Sequence, residues 1–298
     1  MTQRTTARLR ALLARPGCTV APGVADGLGA RLVALEGFDA VYMTGFGTSL
    51  TRLGMPDVGL LTASEMVDNA ARIVDASGLP VVADADTGYG NPVNVRRTVR
   101  DYERAGVAGL HIEDQVWPKR CGHLAGKRVI PTAEMAAKIK AACDARNDAD
   151  LLIIARTDAI AVEGLNAAFE RAERYREAGA DMLFVEAPVG VEQVQQVAAR
   201  FKGVPLLYNM AASGKTPDLA ADELGRLGFK LAIFPNWILL AAIPAMQALL
   251  RELKQNGSIA RIRSQVATFK QFTEVAGLPE IQALEARYGV PEEGRASL

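Results

Sequence analysis

The sequence predicts an α/β fold, a (β/α)8 barrel with additional helices after the barrel, on three observations. Short apolar runs alternate with longer stretches of helical periodicity along nearly all of the 298 residues. Eight such runs can be counted, at 19–21, 40–43, 81–83, 109–112, 152–155, 182–185, 205–208 and 231–234. Three segments, YERAGVAGLHIE, YREAGADMLFVE and LGRLGFKLAIFP, share one order: helix, glycine, small residue, buried strand. Eight repeats of that unit close a parallel barrel. An open doubly wound sheet would need a mid-chain switch point, and none is evident.

The elements follow in order. Residues 1–15 are polar and arginine-bearing, without the apolar core of a secretory signal, so a cytoplasmic location is expected. Helical spacing marks 93–105, 132–146, 165–178 and 217–227. Thr132 and Glu134 open one of these helices, and Gly106 and Gly179 stand where two others should end. The most apolar stretch, 231–250, has the length of a membrane span. Pro235, Asn236, Pro244 and Gln247 interrupt it, and it divides into a strand and a helix. Beyond residue 253 the pattern changes, and 261–275 and 280–288 read as two extra helices separated by Gly277 and Pro279. We therefore expect a barrel over 1–256 and a helical extension over 257–298 that packs on another subunit, with a helix folded back on its own barrel as the alternative.

Composition narrows the function. Lys+Arg and Asp+Glu both number 34, a balance that speaks against a generic nucleic-acid binder. Nothing in the patterning supports a membrane role. Hydrophobic residues at 49% and charged residues at 23% are those of a globular chain. The cysteines, Cys18, Cys121 and Cys143, form no CxxC pair, so neither a disulfide framework nor a structural zinc site is expected.

A parallel barrel places its active site at the C-terminal ends of the strands. Polar residues gather there. The second strand runs into Tyr42, Thr44, Gly45 and Phe46, a small-residue loop able to offer backbone N–H groups to an anion. The third ends in Asp84 and Asp86, the fourth in Glu113, the fifth in Arg156, the sixth in Glu186 and the seventh in Asn209. Asp84, Asp86, Glu113 and Glu186 crowding one mouth cannot all stay ionised without a cation, and hard oxygen ligands suit Mg²⁺ or Mn²⁺. Helix capping is the competing role for any one of these acids. A salt bridge is the competing role for Arg156, whose planar fork otherwise suits a substrate carboxylate. His111, inside a strand, reads as a core residue, and Tyr42 as equally a packing or a substrate residue.

The segment 117–127 is too long for a minimal turn and is rich in glycine and cations, as lids often are. Cys121 sits in it between Lys119, Arg120, Gly122 and His123, with Lys127 close by. Neighbouring positive charge should lower the thiol pKa and ready it for proton transfer. Cys18 and Cys143 read as inert.

KRCGH following HIEDQ, preceded by DADTGYG and followed by ARTDA, resembles the isocitrate lyase and phosphoenolpyruvate mutase superfamily over nearly the whole chain. The resemblance implies a modified (β/α)8 barrel, Mg²⁺, an α-oxycarboxylate substrate and an enolate-like intermediate. It makes Cys121 the acid/base of a mobile loop, a residue that the phosphonomutase, phosphonopyruvate hydrolase and oxaloacetate branches generally lack. It makes Asp84, Asp86 and Glu113 metal-site residues, and Tyr42, Thr44, Gly45 and Phe46 the cradle of the α-oxycarboxylate. Asp57, Arg156, Glu186 and Asn209 become pocket residues, with Tyr42 and Glu186 both candidates for the base. It also implies a homotetramer that exchanges C-terminal helices. Two departures from 2-methylisocitrate lyases stand out. Leu124-Ala125-Gly126-Lys127 replaces their Arg-Pro-Asn-Lys run, and no arginine follows the last strand, where Trp237 stands instead. A third substrate carboxylate would lose its partner, which favours a smaller dicarboxylate of the 2,3-dimethylmalate type.

Overall fold

A computed structural model describes residues 3–212 and 215–296. They form two compact units, Met1–Ile238 and Leu239–Leu298. In the first, eight parallel strands close a barrel in sequence order: β1 (Thr19–Val24), β2 (Val41–Met43), β3 (Val81–Asp84), β4 (Gly109–Glu113), β5 (Leu152–Thr157), β6 (Met182–Val185), β7 (Leu206–Asn209) and β8 (Phe229–Phe234). Registers such as Glu113 beside Arg156 on β4 and β5, and Val82 beside Gly109 on β3 and β4, bring the strand ends level around one mouth.

The strands read as continuous apolar runs because both of their faces are covered. One face packs on the helices through residues such as Val41, Ala83, Leu110, Ile153 and Leu183. The other fills the barrel with Ala21, Val82, Leu152, Ile154, Met182, Phe184, Leu231 and Ile233. Leu9, Leu12 and Leu13 belong to that interior cluster, so the N-terminal helix Thr5–Ala14 stoppers the barrel at the end opposite the polar mouth. The polar composition of residues 1–15 masks this helix. Three leucines at positions 9, 12 and 13 were the signal of a helix with a buried stripe.

Helix boundaries follow local chemistry. Thr62 and Glu65 form a reciprocal capping box before Ala63–Ser77, and Asn91 with Pro92 opens Pro92–Arg104. Gly106 and Gly179 take φ +86° and +110° just past their helices, as expected of residues that reverse the chain. The expected helix over 217–227 is shorter, Ala221–Leu227.

In the second unit, the helix Trp237–Asn256 carries apolar Leu240, Ile243, Met246, Leu250 and Leu253 exposed at helical spacing. No helix among the described residues is long and apolar enough to cross a membrane. The expected helix over 261–275 is interrupted: a single 3₁₀ turn at Arg263–Gln265 precedes Phe269–Val275. Thr268 and Gln271 form a capping box there, which fixes the later start. Leu278–Arg287 completes the unit's α-helices.

Candidate active site

The C-terminal mouth of the barrel collects nearly every residue expected there. Tyr42, Thr44, Phe46, Asp57, Asp84, Lys119, Cys121, Gly122, His123, Arg156, Glu186 and Asn209 line one cavity of about 50 Å³. The segment expected to be a small-residue loop after β2 is instead the first turn of a helix, Gly45–Leu53. Thr44 caps it, accepting from the N–H of Gly47 at 3.2 Å, and its hydroxyl donates to Asn236 Oδ1 at 3.0 Å. The helix N-terminus still presents partial positive charge to the mouth. Gly45 is pressed against Asp84, where a Cβ would overlap the carboxylate.

On β3, the Asp86 N–H donates to Asp84 Oδ1 at 2.9 Å. Asp86 holds φ +47°, an uncommon conformation for a non-glycine residue, which aims its carboxylate back over the mouth. Lys119 from the lid reaches down to it: Nζ lies 2.6 Å from Asp57 Oδ1 and 2.8 Å from Asp86 Oδ1. Against burial, those acids hold the Lys119 ammonium well above its ordinary pKa. His123 Nε2 sits 2.9 Å from Glu186 Oε1, and Asn209 Nδ2 donates to both Glu186 oxygens at 3.1 and 3.2 Å. Gly122 lies on Arg156 and Glu186 so closely that no side chain would fit.

Lys119, His123 and Gly122 thus bring the 117–127 segment down onto the strand ends. Lys127 locks its far end, donating to the carbonyl of Gly122 and, at 3.1 Å, to Asp158 Oδ1. Arg120 is not brought to the cluster. Its side chain is exposed and donates to the carbonyl of Ala125 at 3.1 Å, so the lid turns it outward.

The electrostatics correct one expectation. The Cys121 thiol is not lowered by its basic neighbours; burial pushes it up to about 11. Lys119 already answers Asp57 and Asp86, and desolvation of the thiolate outweighs what attraction remains. The thiol is held protonated. Tyr42 is equally a proton holder: burial and then Asp84 raise it well above 10, and its hydroxyl meets His111 Nε2 at 2.9 Å. His111 is the expected core residue, fully buried, and desolvation lowers its pKa to about 4, so the imidazole is neutral. Glu186 differs. Burial opposes its charge, but Arg156 and His123 overcome that and hold it below the ordinary carboxylate range.

Arg156 makes the salt bridges considered for it, and it also lines the cavity. Its Nε and one Nη bind Asp158 side-on at 2.9 and 3.2 Å, and the same guanidinium lies 3.4 Å from Glu113 and 3.9 Å from Glu186. Phe184 supports it from beneath at 5.0 Å. Asp158, in ARTDA, carries no role that its sequence position alone reveals. The structure makes it the shared anchor of Arg156 and of the lid lysine, with its pKa lowered to about 2 because Arg156 and Lys127 overcome its burial.

The donor set also fits a hard cation. Asp57, Asp84, Asp86, Glu113, Asp158 and Glu186 are buried with Lys119, Lys127 and Arg156, six carboxylates facing three cations. Neither side-chain oxygen of Glu113 has a hydrogen-bond partner, and desolvation raises its pKa well above the ordinary value. Asp86 is raised to about 6 by burial, with Asp84 and Asp57 adding to the effect against Lys119. Among the described residues, no three such side chains converge closely enough to hold a metal ion as they stand. Hard oxygen donors of this kind suit Mg²⁺-type ions, which complete their shell with water and a ligand.

Comparison with known proteins agrees with this geometry. The family model described as phosphoenolpyruvate phosphomutase matches residues 9–254. A 2,3-dimethylmalate lyase of Eubacterium barkeri is 46% identical over 284 residues, covering 95% of this chain and 98% of that one. A crystal structure of 2,3-dimethylmalate lyase, described as a PEP mutase/isocitrate lyase superfamily member, superposes with a TM-score of 0.93 at 41% identity over the whole of both chains. Oxaloacetate acetylhydrolase in complex with 3,3-difluorooxalacetate matches with a TM-score of 0.90 at 38% identity, covering 99% of this chain and 98% of that one. With a family model spanning most of its length and named lyases aligned end to end, this chain is a lyase of the PEP mutase/isocitrate lyase superfamily.

Proposed function

We propose that the enzyme cleaves the C2–C3 bond of a 2-hydroxy di- or tricarboxylate, of the 2,3-dimethylmalate or 2-methylisocitrate type, to an α-oxoacid such as pyruvate and a saturated carboxylate. The observation that carries this reading is the Cys121 thiol: half-buried, protonated, and lining the same cavity as Arg156, Glu186 and Asn209. A proton donor delivered by a lid is what a nascent carbanion requires.

Asp84, Asp86 and Glu113 would hold Mg²⁺ (or Mn²⁺), which when bound supplies Lewis-acid polarisation of the substrate's C2 oxygen and carboxylate. The protein's own groups do the rest. The Thr44–Phe46 helix start and Arg156 receive the carboxylate and steady developing oxygen charge. Because Tyr42 keeps its proton, the base that takes the C2 hydroxyl proton is Glu186, which is ionised and oriented by His123 and Asn209. The C2–C3 electron pair passes to C3 as that bond breaks, and Cys121 protonates C3 from the lid side. Lys119 and Gly122 seat the lid and exclude water.

The small cavity favours a compact dicarboxylate, and Trp237 crowds the last strand end, its indole N–H donating to the Met210 carbonyl at 2.7 Å. We further place the enzyme in the cytoplasm as a homotetramer, with the extension from residue 257 as its oligomerisation segment and C-terminal helices exchanged between neighbours. The exposed apolar stripe of Trp237–Asn256 supports that arrangement.

The test is α-oxoacid release with Mg²⁺ from 2,3-dimethylmalate, 2-methylisocitrate, isocitrate and oxaloacetate. Cys121→Ser should abolish release from the 2-hydroxy acid while sparing α-oxoacid binding. Near-normal turnover by that variant would remove Cys121 from the mechanism. The likeness to oxaloacetate acetylhydrolase favours a second reading, hydrolysis of oxaloacetate on the same scaffold. Activity confined to oxaloacetate, with oxalate as product, would establish it.

A further inference from the structure

A second cavity of the barrel unit is far roomier than the polar mouth. It is a cleft of about 550 Å³ beside the root of the lid, roughly ten times the space left above the strand ends. Leu61, Val116, Trp117 and Ile130 form apolar walls, and Tyr89 meets Trp117 edge-on at 6.1 Å. The pocket volume is that of small-molecule sites, which pair apolar walls with a few placed polar groups.

Two polar groups are placed here and left incomplete. Lys138 is 3% exposed, and its ammonium donates to one acceptor, the Thr87 carbonyl at 3.1 Å. No carboxylate among the described residues forms an ion pair with it, so two of its three N–H bonds are unspent. The Thr87 hydroxyl, on a residue 1% exposed, has no partner at all. A buried ammonium short of counter-charge beside an unpaired hydroxyl is costly unless something completes it. The other buried lysines, Lys119 and Lys127, each have their carboxylate. Lys138 is the exception, and it faces the cleft.

We propose that this cleft binds a small monocarboxylate with an apolar body, its carboxylate on Lys138 and the Thr87 hydroxyl and its carbon chain against Leu61, Val116, Trp117 and Ile130. Glu134, exposed on the rim one turn before Lys138, sets the charge of the ligand. With one cation and one carboxylate lining the cleft, a monoanion balances Lys138, whereas a dianion meets Glu134. The site is separate from the polar mouth, because none of its lining residues lines the strand-end cavity.

Equilibrium dialysis with radiolabelled hexanoate tests this. Wild type and Lys138→Arg should bind one hexanoate per chain with a Kd near or below about 1 mM. Lys138→Met, which removes the charge, and Ala63→Leu, which fills the cleft without touching the lysine, should each weaken binding at least tenfold. Arg156→Gln should leave it unchanged, and neither hexanol nor succinate should compete. Absence of saturable binding to wild type would overturn the proposal. So would unchanged binding in Ala63→Leu and Lys138→Met, or binding that disappears only in Arg156→Gln. If Lys138→Met fails to fold, Ala63→Leu decides alone.

Discussion

Glu113 and Asp114 are neighbours in the chain, both buried carboxylates at the end of β4, and they lead opposite lives. Asp114 turns outward between strands and helices, where every oxygen is used. It accepts from the Asp158 N–H at 2.9 Å, the Thr157 hydroxyl at 2.7 Å, the Tyr175 hydroxyl at 2.8 Å and Arg171 at 3.4 Å. Glu113 turns into the mouth, where neither oxygen has a hydrogen-bond donor and Arg156 stands 3.4 Å away. The alternation of a β-strand sends successive side chains to opposite faces. One face of β4 therefore builds a finished structural network, while the other leaves valence open for chemistry. Completed hydrogen bonding marks a support, and unspent hydrogen bonding marks a place where something else binds.

Four measurements would break or sharpen that contrast. Asp114→Ala should cost about 3–5 kcal/mol in urea unfolding, since it removes the acceptor of three buried donors and one of the carboxylates of Arg171 at once. A loss below 1 kcal/mol would deny its structural role. The second concerns pH. Desolvation depresses His111 to about 4 in the fold, against 6.5 for an ordinary imidazole. The unfolded chain thus binds the proton first, so stability present above pH 6.5 is lost as pH falls towards 4. The contribution is about 3 kcal/mol over that window, and His111→Gln should flatten this part of the stability–pH curve relative to wild type. Third, Glu113→Gln should change stability by less than about 1 kcal/mol, or raise it, because burial already disfavours the charged form of this carboxyl. Turnover should nevertheless fall at least about 100-fold; a destabilised but active variant would reverse the assignment of the two faces. The smallest effect is on thiol reactivity. In a Cys18→Ser, Cys143→Ser background, alkylation by iodoacetamide should keep rising with pH past 10, and a plateau below 9 would return Cys121 to the ordinary reactive class.

Much of this was legible in the sequence, and the parts that were not share a cause. Strand count and barrel closure followed from the repeated helix–glycine–strand order, since that pattern is written locally. Asp84, Asp86, Glu113, Arg156, Glu186 and Asn209 could be placed at one mouth because each closes an apolar run. What local pattern does not contain is the partner. Arg120 and Lys119 are adjacent cations in one loop, yet only the folded lid decides that Lys119 turns to Asp57 and Asp86 while Arg120 faces solvent. The Cys121 thiol was misjudged for the same reason: sequence shows which charges are near, but not that they are already neutralised or how far water is excluded. Asp158 and Lys127 lie 31 residues apart, and their joint role exists only where β5 and the lid meet. The N-terminal helix was hidden by its polar face.

The lid descends until about 50 Å³ is left above the strand ends, and Lys127 fastens it to Asp158. A molecule caught beneath it should depart at the lid's opening rate rather than at a rate set by its own contacts. Compact α-oxoacid analogues should therefore act as slow-release inhibitors. Their residence time should shorten when Lys127 is changed to methionine, even where their equilibrium contacts with Arg156 are untouched.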